Sequence, residues 1–209
     1  FDAGKTIIAG EGGMITTNSR ELYLLAREYH DHGHMNNESL PRGKDSHRIH
    51  GFNYRMTEIQ AVIGKVQLQK LDYIVEKNRK NYLLIESSLM QIKGLRLRKI
   101  PSQCKPLCDT IIIQFDTKDI ADRFVVGLKN EGLGTKNVPD AIEWHFVKYW
   151  DHMLSFFQLD IDELSKSVET SSKILEKCVA LPIMVKTPSN EINRQIKILQ
   201  HIIYSILQK

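Results

Sequence analysis

Lys5 is the residue whose type and setting best suit covalent chemistry. It follows Ala3-Gly4, precedes the apolar pair Ile7-Ile8, and stands just ahead of Gly10-Glu11-Gly12-Gly13. Small and apolar neighbours allow partial burial, which disfavours an ammonium and leaves a neutral amine able to attack a carbonyl and form a Schiff base. The same residues also read as an ordinary exposed lysine on a short loop, and Glu11 as a solvated charge at a turn. His30, His32 and His34 alternate, a spacing that aligns ligands on a strand. They straddle the predicted end of a helix, where that alignment is lost, so no metal site is expected. Cys104 and Cys108 have no second pair at zinc spacing and read as loop thiols. Trp144, His145, Tyr149 and Trp150 form either a substrate wall or an aromatic core; the tryptophans are assigned to core and His145 is kept as a substrate contact.

The elements that must position these groups follow from pattern. Residues 6–9 and 14–17 are short β-prone runs around the glycines and predict a hairpin. Asn18 and Glu21 then open a helix that Gly33 ends. From His34 to Gly51 the chain is polar and rich in breakers, a long loop of the kind that carries function. Thr57 and Gln60 make a second capping box, ahead of Ile59, Val62, Ile63 and Val66 at helical spacing. The stripe continues through Tyr82, Ile85 and Leu89, long enough to predict a bend near Asp72. Residues 95–100 and 110–115 read as strands and 118–130 as a helix stopped by Gly132 to Gly134. Helices over 164–178 and 190–207 flank an apolar segment, 179–185, an alternation that predicts a small α+β or α/β domain.

Composition bounds the partners. At 209 residues with 42% hydrophobic content, the chain can bury a core as one or two domains. The net charge of +4 is spread without a long basic run, so nucleic acid is not an expected partner. No apolar run approaches the roughly 20 residues of a membrane span. Three sparse cysteines fit a reducing compartment, and the cytoplasm is expected.

Taken in order, Phe1-x-x-x-Lys5, the run Gly10-Glu11-Gly12-Gly13-Met14-Ile15-Thr16-Thr17-Asn18, His32-Gly33, and Gly51-Phe52-Asn53-Tyr54-Arg55-Met56-Thr57-Glu58, continuing through Gln60, Gly64 and Gln67 to Asp72, form an ordered series. This series resembles the DegT/StrS family of pyridoxal-phosphate-dependent sugar aminotransferases. The resemblance implies an α/β protein of the pyridoxal 5'-phosphate (PLP)-dependent transferase fold type I: the carboxy-terminal part of the large domain with its linking helix over 1–76, then the small α/β domain over 77–209. It also implies a homodimer with sites between subunits. Lys5 would hold the cofactor as a Schiff base and shuttle a proton between donor and cofactor. Asn53 would reach the phosphate of the cofactor bound by the partner subunit, and Arg55 would lie beside that site as a substrate contact. The family's remaining cofactor ligands map ahead of Phe1, so the chain is expected to be the carboxy-terminal portion of the enzyme.

The implied reaction moves an amino group from an amino acid donor, glutamate, to a keto sugar in the biosynthesis of lipopolysaccharide or another surface glycan. His30-Asp31-His32-Gly33-His34, Leu40-Pro41-Arg42-Gly43 and residues 134–146 resemble the branch that aminates an 8-keto octulosonate to 8-amino-3,8-dideoxy-manno-octulosonate. Arg42, Arg48 or Lys136 would suit the carboxylate of such a substrate. A nucleotide-linked 4-keto or 3-keto hexose is the alternative substrate. A non-catalytic dimerisation or regulatory fragment is the alternative to an enzyme.

Overall fold

The computed structural model describes residues 1–157 and 160–207, with the chain divided into two compact units, Phe1–Asp72 and Tyr73–Lys209. In the first unit the expected hairpin does not form. Asp2 bridges to Gly10, Gly10 and Gly12 adopt φ of +87° and +121°, and among the described residues the segment 13–17 enters no ladder. A strand needs a second backbone alongside it; residues 15–17 instead run beside helix α1 (Arg20–Tyr29), lining an open apolar groove with Leu22, Leu25 and Ile49. The start of α1 is also moved by one residue, because Ser19, not Asn18, is the N-cap and accepts from the Leu22 N–H at 3.3 Å.

Past α1 the chain turns sharply. Gly33 has φ +82°, and a Cβ built on it would meet the Ile49 carbonyl oxygen at 1.9 Å. Gly51 faces it: a Cβ there would meet the Gly33 nitrogen at 2.5 Å and the Tyr29 carbonyl oxygen at 2.6 Å. Two bare backbones therefore pass where no side chain fits. Helix α2 (Glu58–Gln69) starts at the expected capping box, with Thr57 and Gln60 satisfying each other's backbone N–H groups. Its apolar stripe is exposed: Ile59, Val62, Ile63 and Val66 all face outward, and α2 has no buried residue. The helical pattern divides at Lys70, two residues ahead of the expected bend, and resumes as α3 (Leu71–Leu89).

The second unit holds the apolar core. A three-stranded antiparallel sheet of order β1-β2-β3 is built from β1 (Leu95–Leu97), β2 (Thr110–Phe115) and β3 (Cys178–Pro182). Ile113 pairs with Leu97 on one side and Val179 on the other. Along β2, Ile111, Ile113 and Phe115 are fully buried while the residues between them are half-buried, the period-two signature of a sheet covered on one face. Helix α4 (Lys118–Asn130) and the final helix α9 (Ser189–Leu207) cover that face. Ala121, Phe124, Val125 and Leu128 are presented at helical spacing, with Phe124 5.0 Å from Phe115. Between the sheet's second and third strands lie the short helices α5 (Ile142–His145), α6 (Asp151–Phe156), α7 (Ile161–Ser167) and α8 (Glu169–Leu175). The single helix expected over 164–178 is thus two, parted at Val168, with its last residue given to β3. Trp144 is 79% exposed, which corrects its assignment to the core. Cys104 is exposed, and Cys108 and Cys178 are buried free thiols that burial pushes above the ordinary value.

Candidate active site

Asp2 shapes the loop that carries Lys5. Its Oδ1 accepts the Gly4 N–H at 2.6 Å and its carbonyl accepts the Lys5 N–H at 3.1 Å, closing a tight turn. The Lys5 ammonium projects from this turn with its side chain 64% exposed, 3.8 Å from Asp2 Oδ2. The expected partial burial is therefore not found in the chain by itself: Ala9, only 2% exposed, takes the buried place in this segment. An exposed pair at that distance holds the amine weakly. The Lys5 loop meets the second motif at Gly12, where a Cβ would overlap the end of the Met56 side chain at 2.3 Å.

Segment 52–54 runs antiparallel beside residues 29–32. Phe52 N–H donates to the Tyr29 carbonyl at 2.8 Å, Tyr54 N–H to the His30 carbonyl at 2.9 Å, and His32 N–H back to the Phe52 carbonyl at 3.0 Å. Extended geometry sends alternate side chains to opposite sides. Phe52 and Tyr54 go one way and stack at 5.4 Å, with Tyr29 edge-on to Phe52 at 5.6 Å. Asn53 and Arg55 go the other way. Asn53 is bridged through its backbone to Asp31, and Arg55 Nη1 donates to Asp31 Oδ1 at 2.6 Å.

Asp31 thus lies against two of the expected site residues, although in the sequence it stood only as part of the segment 30–34, with no role of its own. Arg42 Nη2 donates to the same Oδ1 at 2.6 Å. The Asp31 side chain is 6% exposed, whereas the Arg42 and Arg55 side chains are 56% and 43% exposed, so a buried anion anchors two guanidinium groups that face outward. The Arg42 hydrogen bond leads in holding the Asp31 carboxyl down to about 2, against the opposing effect of burial and with help from both arginine charges. The sequence held one usable signal, an acidic residue immediately before His32-Gly33 with arginines in the loop that follows.

A second clamp lies one helical turn back. Glu28, also buried, is held bidentately by Arg48 at 3.1 and 3.0 Å, which commits that arginine to the fold. Burial opposes ionisation of Asp45, but the backbone N–H groups of Asn37 and Asn36 keep its carboxyl below the ordinary value. His34 Nδ1 lies 3.5 Å from Asp45 and its ring lies 4.2 Å from that of His47, while His30 bonds the Arg27 carbonyl. Lys136 is paired with Asp109 at 2.7 Å. His145 is exposed on α5 of the second unit.

Residues 1–200 match the DegT/DnrJ/EryC1/StrS aminotransferase family. Over 72 residues, 34% of this chain and 18% of that protein, the sequence is 46% identical to the GDP-perosamine synthase of Caulobacter vibrioides. It is 21% identical to the spore coat polysaccharide biosynthesis protein SpsC of Bacillus subtilis over 211 residues, covering 97% of this chain and 52% of SpsC. The fold is that of about half of a sugar aminotransferase. Aminotransferase TlmJ of Streptoalloteichus hindustanus superposes with a TM-score of 0.78 at 20% identity, over 99% of this chain and 51% of its own. Helicobacter pylori PseC, an aminotransferase of pseudoaminic acid biosynthesis, superposes with a TM-score of 0.76 at 17% identity, over 98% and 52%. The chain spans about half the length of relatives it matches from end to end.

Proposed function

Because the chain belongs to the DegT/DnrJ/EryC1/StrS aminotransferase family, we propose that it works in the pyridoxal-5'-phosphate-dependent transfer of an amino group from an amino acid, glutamate, to a keto sugar of surface-glycan biosynthesis. The observation that carries this reading is the turn at Asp2, which presents the Lys5 amine outward and weakly held. The residues present fit the cofactor: a primary amine free to join an aldehyde, and an exposed Asn53 whose backbone is held opposite Asp31 by the hydrogen bonds of Phe52 and Tyr54. When bound, the cofactor supplies an electron sink for the bond changes at the donor's Cα. Lys5 Nζ would hold the cofactor and, once freed by the incoming donor, would carry the proton from that Cα to the cofactor. The Asn53 amide donates to the phosphate of the cofactor in the partner subunit of a homodimer, Arg55 receives a substrate anion, and His145 contacts the sugar. The setting is cytoplasmic; no helix among the described residues is long and apolar enough to cross a membrane.

For the acceptor, a free acidic sugar of the 8-keto octulosonate type is the first reading, in lipopolysaccharide biosynthesis. Arg48 and Lys136 are each taken up by one carboxylate, whereas Arg42 and Arg55 share one and keep outward N–H donors for a substrate carboxylate. A nucleotide-linked keto hexose is the second reading, favoured by the 46% identity to a GDP-perosamine synthase over the motif-bearing segment. Titrating the full-length protein with pyridoxal phosphate is expected to develop the visible absorbance of the lysine-bound cofactor, and Lys5→Ala to abolish it without loss of circular dichroism. Retention of the band in Lys5→Ala overturns the assignment of Lys5. A folded wild type that never develops the band supports the non-catalytic alternative. Release of 2-oxoglutarate with an 8-keto octulosonate, compared with a nucleotide-linked 4-keto hexose, decides between the acceptors.

A further inference from the structure

We infer that Asp31 is a positioning residue: its buried carboxylate, acting through Arg55 next to the backbone pairing that holds Asn53, fixes the side of segment 51–56 that meets cofactor and substrate. The inference rests on the proposed aminotransferase function. Three observations carry it. Asn53 and Arg55 lie on one side of an extended segment: Asn53 stands opposite Asp31 in a backbone pairing whose hydrogen bonds come from His30, His32, Phe52 and Tyr54, and Arg55 donates to the Asp31 carboxylate at 2.6 Å. The carboxylate oxygen that takes Arg55 also takes Arg42, so the two guanidinium planes are oriented from a single atom. The anion's side chain is 6% exposed while those of its cations are 56% and 43% exposed, an arrangement that spends a buried charge on aiming outward groups.

Two consequences separate positioning from simple fastening of the loop. Neutralising Asp31 strands no buried charge, because both arginines can turn to water, so the fold should survive a change that leaves them unaimed. Glu28 supplies the comparison: it comes from the same stretch of chain, is equally buried, and is gripped by an arginine, yet Arg48 is bound to neither Asn53 nor Arg55.

The experiment uses full-length Asp31→Asn, Glu28→Gln, and Asp31→Asn placed on Arg55→Ala. It reads the dissociation constant of pyridoxal phosphate from its absorbance, KM and kcat for the keto sugar, and amide hydrogen exchange at Tyr54. Asp31→Asn is expected to raise KM and the cofactor dissociation constant about tenfold and to change kcat less than about threefold, the scale of a lost orienting partner. Tyr54 exchange accelerates. Glu28→Gln moves the ligand constants less than about twofold, and Asp31→Asn adds less than about twofold on Arg55→Ala, because the groups it acts through are then partly gone. Equal ligand effects of Asp31→Asn and Glu28→Gln, or an undiminished effect on Arg55→Ala, overturn the inference. Should Asp31→Asn fail to fold, Asp31→Glu keeps the charge but shifts it by one methylene; a KM raised about threefold supports the inference and an unchanged KM overturns it. A wild type with neither bound cofactor nor turnover overturns the proposed function itself, a result seen before any variant is compared.

Discussion

At Asp31 one carboxylate oxygen accepts from Arg42 and Arg55, each at 2.6 Å, and the acid is displaced from an ordinary 3.8 down to about 2. The sign of the linkage follows. Between those values the unfolded chain binds a proton that the folded chain does not, so stability rises with pH there; it is complete above the unfolded value and lost as pH falls through the folded one. After allowance for the exposure of both arginines, the contribution is on the order of 1–2 kcal/mol. Thermal midpoints measured from about pH 5 to about pH 2 should fall more steeply in wild type than in Asp31→Asn. Equal slopes would remove Asp31 from the acid response. Lys5 shows the opposite environment, an exposed amine whose partner stands off at 3.8 Å.

Among the elements, α2 has a start that was readable to the residue from its cap alone. Thr57 Oγ1 accepts the Gln60 N–H at 3.3 Å and Gln60 Oε1 accepts the Thr57 N–H at 3.0 Å, a local exchange that needs no tertiary partner. Thr57→Ala is expected to cost about 1 kcal/mol, seen as a lower denaturant midpoint with an unchanged slope. Strand β2 and helix α4 were equally legible, because their periods of two and 3.6 are written over six and thirteen residues. The hairpin over residues 6–17 was not. Its β-prone residues are intrinsically extended, but pairing depends on which backbone arrives alongside, and here Asp2 reaches Gly10 first. The turn at Gly33 and Gly51 is of the same kind: each glycine is visible in the sequence, whereas the approach of their backbones is not.

Across the whole molecule the two units are held by different forces. The second has a sheet-and-helix core in which Ile111, Ile113, Phe115, Phe124, Leu128 and Val179 are fully buried. In the first, the buried residues are Ala9, Glu28, Asp31 and Gly33, and loop 34–56 is secured by arginines and backbone pairing. Apolar area exposed on opening sets denaturant sensitivity, so native-state hydrogen exchange should separate them. Amides of Phe52 and Tyr54 are expected to exchange through openings with little denaturant dependence, while those of Ile113 and Val179 follow the steep global slope. One common slope would refute the distinction. The family was legible in the sequence, as were Lys5, Asn53 and Arg55 as candidates, the start of α2, both ends of α4 and the span of α9, because glycine turns, caps and periodic apolar faces are local properties of covalent neighbours. Only the tertiary structure decided that Lys5 is exposed, that the stripe on α2 faces outward, that Trp144 leaves the core, and that Asp31 gathers Arg42 and Arg55 beside Asn53. Ion pairs, backbone crossings and burial join residues far apart in the chain, and their geometry exists only once the chain is folded.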